Sequence, residues 1–158
     1  MKLIGTTKDN LLFHLGKREK HLLLEVLKLY PRIPPAHQPL SKSGQLPDED
    51  SSRRLLEEAL AEQRAENKKL LQAWLGDPKR FADSDSGCRL SLCPSDLEWL
   101  LQVLNDIRVG SWVLLGSPDP KLEAEQLDKK TEPDLWAMEV SGYFQMELLG
   151  AVEGGREV

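Results

Sequence analysis

Apolar residues recur at the helical spacing of three and four positions in four separate stretches of the chain. We predict one helix for each stretch, over residues 17–30, 52–75, 95–115 and 132–152. The third helix has the clearest start, because Pro94 precedes Ser95-x-x-Glu98, a capping-box pattern that satisfies backbone groups of the first turn. The chain is therefore predicted to be mainly helical.

Two shorter stretches have patterns typical of strands. The runs KLIG and NLLFHL are separated by TTKD, which predicts a β-hairpin over residues 2–15 with Asp9 and Asn10 near its turn. The stretch GCRLSL alternates in polarity from Cys88 to Leu92 and could supply a third strand. A regular alternation of strands and helices is absent, so we predict a four-helix bundle-like domain with a small N-terminal antiparallel β-hairpin.

The length of 158 residues fits one domain of ordinary size, and we predict a single domain over residues 1–158. Residues 31–51, between the first two helices, are rich in proline and serine and are predicted to be a flexible connector. Residues 153–158, with the sequence EGGREV, are predicted to be a tail.

Three polar residues, Asn105, Asp106 and Arg108, interrupt the apolar middle of the third helix. A helical wheel places Arg108 inside the apolar stripe, Asn105 at its edge and Asp106 on the opposite side. Because a guanidinium keeps its charge at any ordinary pH, a buried Arg108 would need acceptors from neighbouring helices. Arg108 is therefore the strongest candidate for the centre of a polar site.

Three carboxylates on other predicted helices could accept hydrogen bonds from Arg108: Glu19 on the first helix, and Glu139 and Glu147 on the fourth. We predict that these residues and Asn105 form a buried network that fixes the register of the helices. Three alternatives stay open. Arg108 could extend its head into water, Glu19 could simply cap its own helix, or the cluster could be a ligand-binding or catalytic site.

The charge balance and the absence of long apolar segments limit the classes of partner. The formal net charge is −5 and the isoelectric point is near 5.3. Because nonspecific nucleic-acid binding relies on clustered Lys and Arg, we expect no nucleic-acid partner. No stretch reaches the roughly 18 apolar residues that span a bilayer, and the polar start lacks the apolar core of a signal peptide. We therefore expect no membrane partner and a cytoplasmic location.

The two cysteines, Cys88 and Cys93, are predicted to be free thiols. In an extended segment they would lie about 17 Å apart, which is too far for a disulfide. No second Cys or His pair follows them to complete a zinc site, and the three histidines lie far upstream. We expect no metal and no other cofactor.

The string WLLQVLNDIRV in the third helix is similar to the pattern Trp-Leu-x-x-Leu-Asn-Asp-Leu-Arg-Leu at Trp99, Leu100, Leu104, Asn105, Asp106 and Arg108. This pattern belongs to a family of uncharacterised bacterial proteins known as a domain of unknown function, which the chain resembles. The helix entry at Glu19 and the aromatic residues around Tyr143 are also similar. Members of that family often lie beside genes for an adaptor of the Clp protease, so the resemblance implies a link to regulated proteolysis. It implies no catalytic residue.

The sequence contains none of the motifs typical of common enzyme sites, such as a Gly-x-Ser-x-Gly elbow, a phosphate-binding glycine loop or His-Glu-x-x-His. An enzyme is therefore disfavoured. We predict a non-enzymatic helical adaptor or interaction protein with a protein partner, and the sequence is also compatible with a homodimer. The alternatives are a transcriptional regulator and, less favoured, an enzyme or small-ligand binder with a polar site around Arg108.

Overall fold

The computed structural model describes residues 1–32, 49–117 and 131–154. In chain order the elements are β1 (Lys2–Thr6), β2 (Leu11–Gly16), α1 (Lys17–Leu27), α2 (Glu49–Leu75), β3 (Phe81–Ser84), β4 (Gly87–Leu92), α3 (Pro94–Leu114) and α4 (Glu132–Gly154). The predicted positions of the four helices and of the N-terminal hairpin are confirmed to within a few residues at each end.

The predicted fold class is wrong, because the strands form more than a small hairpin. All four belong to one antiparallel sheet in the order β1-β2-β4-β3. Strand β4 pairs with β2 along its whole length, with Phe13 opposite Leu90 and Leu15 opposite Cys88. A two-stranded hairpin is marginal in water and leaves backbone groups unpaired at its edge. Strand β4, which follows α2 in the chain, pairs with β2 and so satisfies the backbone groups at that edge. The result is a mixed sheet-and-helix domain instead of the predicted bundle.

The core lies between one face of the sheet and three helices. The inward residues of β2 and β4 are fully buried beneath α1, α3 and α4, and they include Phe13, Leu15, Leu90 and Leu92. Their neighbours along the strands point to the other face, where Ile4 and Arg89 are exposed. The domain therefore has two layers, with the helices on one side of the sheet.

Gly87, at the start of β4, lies opposite Gly16 of β2, where the two backbones approach each other closely. Its φ is +150°, and a Cβ atom there would lie 2.0 Å from the backbone oxygen of Leu15. Only glycine adopts this backbone conformation at so short a distance without a clash. The register between the two central strands therefore depends on this residue.

Helices α3 and α4 form the most extensive contact between any two described helices. Small buried residues allow the close approach, namely Gly110 and Ser111 on α3 and Ala137 and Ser141 on α4. The Ser141 hydroxyl donates to the backbone oxygen of Ala137 at 2.6 Å, so it is satisfied within its own helix. The buried side of α3 thus includes Gly110 and Ser111, which are not large apolar residues and so were not recognised as buried from the sequence.

Among the described residues, α2 is held to the domain chiefly by its C-terminal half. It has 27 residues and is about 40 Å long. Every residue from 51 to 59 is exposed, whereas Leu71 and Trp74 are buried. The N-terminal half of α2 therefore stands away from the described core.

The predicted connector over residues 31–51 lies mostly outside the described residues, although residues 49–51 belong to α2. The predicted tail over residues 153–158 also lies outside them, except that Glu153 and Gly154 end α4. Within the described ranges, no helix combines the length and the apolar character needed to cross a membrane.

Candidate functional site

The residues predicted to form one polar network are not brought together. Arg108 and Asn105 are exposed on α3, and Glu139 is exposed on α4. In the described part of the chain, no ion pair joins Arg108 to a carboxylate. The prediction that Arg108 is buried between helices is wrong, because α3 turns Gly110 and Ser111 towards the core instead.

Arg108 lies at the rim of the contact between α3 and α4. A Cβ atom on Gly142 would be 3.7 Å from Cδ of Arg108, so the aliphatic stem of the arginine lies beside Gly142. Arg108 is exposed although its stem is packed, which agrees with the alternative in which its guanidinium extends into water. Its charge therefore flanks α4 rather than completing a buried pair.

Glu19 and Glu147 lie near Tyr143, at the contact between α1 and α4. Glu19 Oε1 accepts a hydrogen bond from the backbone N–H of Gly16 at 3.1 Å, which confirms the alternative that Glu19 caps α1. Glu19 Oε2 accepts from the Tyr143 hydroxyl at 2.9 Å and pairs with the amino group of Met1. Burial raises the pKa of Tyr143, and the charge of Glu147 raises it further, so the hydroxyl stays protonated and able to donate.

The side of α4 turned away from the core carries large apolar side chains. Four of them, between 36% and 75% exposed, lie close together on the helix surface. With one carboxylate among them they form the α4 outer face, which we define as Trp136, Glu139, Tyr143, Met146 and Leu149. A helix packed on one side normally presents polar residues to water on the other. Contiguous exposed apolar residues with a polar surround are typical of an interaction surface.

All the charged residues of α4 are acidic. The segment from Glu132 to Gly154 contains five carboxylates and neither Lys nor Arg. The α4 outer face therefore combines apolar area with a negative potential, and it favours partners of opposite charge.

A polar cleft of about 200 Å³ lies where α2 and α3 meet the end of α1. Asn67 is its centre: Nδ2 donates to the Tyr30 hydroxyl, and Oδ1 accepts from Trp99 Nε1, both at 3.2 Å. Asp106, which also lines the cleft, accepts from the backbone N–H of Arg32 at 2.8 Å. Burial raises the pKa of Tyr30, so its hydroxyl is neutral. These groups satisfy one another, and the cleft is best explained as a structural polar cluster.

Beside the cleft lies the aromatic junction, which we define as Trp74, Arg80, Phe81, Asp96 and Trp99. The Trp74 ring makes edge contacts with Phe81 and Trp99, with centroid distances of 5.6 and 5.5 Å. Arg80 Cζ lies 4.6 Å from the centroid of the Trp74 ring, within the range of a cation–π contact. The junction therefore joins α2, β3 and α3.

Asp96 connects this junction to the start of α3. It accepts a hydrogen bond from Arg80 Nη1 at 2.5 Å and one from the backbone N–H of Cys93 at 3.3 Å. The cap of α3 is thus formed by Cys93 and Asp96, two residues before the predicted Ser95 and Glu98. Burial raises the pKa of Asp96, but the hydrogen bonds from Arg80 and Cys93 outweigh it and hold the pKa below its ordinary value.

The surroundings of the two thiols do not favour catalysis. Cys88 and Cys93 are both free, as predicted. Burial raises the pKa of Cys88, which keeps it in the unreactive thiol form. Cys93 borders an open depression of about 540 Å³ beside the β1–β2 turn, and its Sγ lies 3.1 Å from Ser95 Oγ. Among the described residues, no group of three His, Cys, Asp or Glu could hold a metal ion.

Comparisons with protein-family models, with curated proteins and with solved structures give no match. The family resemblance of the third helix therefore stays a prediction.

The α4 outer face was missed as a site by reasoning from the sequence, although a signal for it exists. Apolar residues surround almost the whole circumference of α4, as the consecutive residues Leu135, Trp136, Ala137 and Met138 illustrate. A helix that is apolar all round is either buried on every side or covered by a partner. Only the structure shows which side of α4 its own domain leaves open.

Proposed function

We propose that this chain is a non-enzymatic protein-interaction domain, an adaptor that binds its partner through the α4 outer face. The observation that supports this most directly is the exposure of Trp136, Tyr143, Met146 and Leu149 on a helix whose other side is packed against the core. Exposing such side chains to water is unfavourable unless a partner covers them for part of the time.

The partner segment that fits this surface is a basic amphipathic helix. A helix of that kind would lay an apolar side on Trp136 and Met146 while its Lys or Arg residues approach Glu139 and Glu147. The acidic character of α4 supplies the charge complementarity, which speeds association and selects against acidic partners.

The test uses a synthetic peptide with Leu at helical spacing and Lys at the remaining positions, titrated against the full chain by fluorescence anisotropy. Wild-type protein should bind this peptide and should bind a Leu/Glu version much more weakly. The double variant Trp136→Ala/Met146→Ala should lose at least about tenfold in affinity, because the anchors of an interface contribute most of the binding energy.

The matched control is Ile4→Ala, which removes an exposed apolar side chain from the open face of the sheet instead. This variant should bind as wild type does. The proposal that the α4 outer face binds a basic helix would be overturned by either of two results. One is equal affinity of wild type and the double variant, and the other is tighter binding of the Leu/Glu peptide.

The link to regulated proteolysis and the cytoplasmic location belong to the same proposal and are supported by the sequence alone. A transcriptional regulator is the competing function, and retention on heparin at low salt separates the two. An adaptor with a net charge of −5 should pass through the column, whereas a nucleic-acid-binding protein should be retained.

A further inference from the structure

Helix α2 carries a regular pattern of exposed residues beside the side that holds the helix to its domain, and one of them, Gln63, also lines the polar cleft. Six exposed positions follow one another at spacings of three, four, three, four and three residues. This is the spacing of the contact positions of a coiled coil. We call them the α2 seam: Leu56, Ala59, Gln63, Glu66, Leu70 and Ala73. The domain itself is held by other residues of α2, chiefly Asn67, Leu71 and Trp74.

The order of spacings in the α2 seam is the same when read in either direction. A second copy of α2 laid antiparallel on the first therefore meets every position of the seam, pairing Leu56 with Ala73, Ala59 with Leu70 and Gln63 with Glu66. In the outer layers a large side chain faces a small one, which fills the space between two helices evenly.

The polar centre of the seam favours the antiparallel arrangement over a parallel one. Antiparallel helices place the Gln63 amide of each copy opposite the Glu66 carboxylate of the other, where the amide can donate a hydrogen bond. Parallel helices would place the two Glu66 carboxylates opposite each other, and like charges at that distance repel.

The charges beside the seam complement each other in the same arrangement. Glu62 and Lys69 each precede a seam position, Gln63 and Leu70 respectively, and both are exposed. In an antiparallel pair Glu62 of each copy lies across from Lys69 of the other, so two ion pairs flank the seam.

We propose that α2 is a self-association surface through which two copies of this chain pair antiparallel along the α2 seam. Pairing also accounts for the exposed N-terminal half of α2, because that half lies beside the C-terminal half of α2 in the second copy. The site is distinct from the α4 outer face, so either proposal can fail without the other.

The test is sedimentation equilibrium of the full chain from micromolar to millimolar concentration. Wild-type protein should form dimers as its concentration rises. Glu62→Lys alone brings two lysine side chains together across the seam, and Lys69→Glu alone brings two acids together, so each single variant should remain mainly monomeric. When the two variants are mixed, opposite charges meet at both positions, and a dimer containing one copy of each should form.

Two charge reversals of the same kind, Glu58→Lys and Lys68→Glu, serve as controls because both residues are exposed on α2 outside the seam. These variants should dimerise as wild type does, and circular dichroism should show all variants equally helical. A wild-type chain that stays monomeric would overturn the proposal. The proposal would also be overturned if Glu62→Lys and Lys69→Glu each still dimerised as wild type does, or if a mixture of the two variants formed no dimer.

Discussion

Aromatic side chains cluster in two regions of this domain, the aromatic junction and the α4 outer face, and the two clusters are built differently. In the junction, Trp74 is almost fully buried against two rings and a guanidinium, and Trp99 donates its N–H to Asn67. On the α4 outer face, Trp136 and Met146 are exposed, and Tyr143 is 42% exposed although its hydroxyl donates to Glu19 and its ring makes an edge contact with Phe144.

The two regions differ in whether their apolar side chains are covered by residues of the same domain. The junction fills its own space, so its residues should determine stability and have little effect on binding. The α4 outer face leaves its apolar area to be covered from outside, so its residues should determine binding and have a smaller effect on stability. Residue type alone does not distinguish these roles, because tryptophan is common both in cores and in interfaces.

The largest expected effect comes from truncating the tryptophan of each region. Trp74→Ala should lower the free energy of unfolding by about 3–5 kcal/mol, since it leaves a cavity between α2, β3 and α3. Trp136→Ala should lower it by less, about 1–2 kcal/mol, because this side chain is 36% exposed. Urea denaturation followed by circular dichroism measures both. Similar losses in the two variants would show that the α4 outer face is part of the core.

Removing the amide that links three elements should have the next largest effect. Asn67→Ala leaves the Trp99 N–H and the Tyr30 hydroxyl without their partner, and it should cost about 2 kcal/mol. Gln72→Ala, which removes an exposed amide from the same helix, is the control and should be nearly neutral. If Asn67→Ala proved as harmless as its control in urea denaturation, the polar cleft would not be the structural cluster described above.

The junction should also give stability a dependence on pH through Asp96. Its pKa in the folded chain lies below the ordinary value of 3.8, so its contribution is fully present above about pH 4 and is lost as the pH falls through the folded pKa. Asp96→Asn should therefore cost about 1 kcal/mol at pH 7, from the weakened cap and the lost ion pair. The difference between wild type and variant should shrink below pH 4. A difference that stays constant down to pH 2 would exclude this titration as its cause.

The helices could be predicted from the sequence because their apolar spacing is regular over several turns. The strands β1, β2 and β4 could also be recognised, but the four-stranded sheet could not, since β3 has only the four residues FADS and carries no alternation long enough to recognise. The extent of the sheet also depends on a pairing between β2 and β4, which are separated by two helices along the chain. Such distant pairings leave no local signal.

The candidate site was misplaced for a related reason. A helical wheel weighs apolar residues only, and it placed Arg108 in the apolar stripe because Leu101 and Leu104 lie on the same side of α3. In the fold, Gly110 and Ser111 are buried and Leu101 is only partly so. Small residues bury well where two helices approach closely, but their sequence pattern does not reveal where that happens.

Arg108→Ala should have the smallest effect on stability, and it is the sharpest test of whether Arg108 is exposed or buried in an ion pair. A buried arginine paired with a carboxylate would cost about 3–5 kcal/mol to remove, because its partner would be left unpaired. An exposed arginine whose stem lies beside Gly142 should cost no more than about 0.5 kcal/mol. The same variant removes a positive charge from the edge of the α4 outer face. It should therefore bind the Leu/Lys peptide about twofold more tightly, with the larger share of the change in the association rate. A variant that is strongly destabilised, and that regains its stability when Glu139 is replaced by Gln, would restore the buried pair.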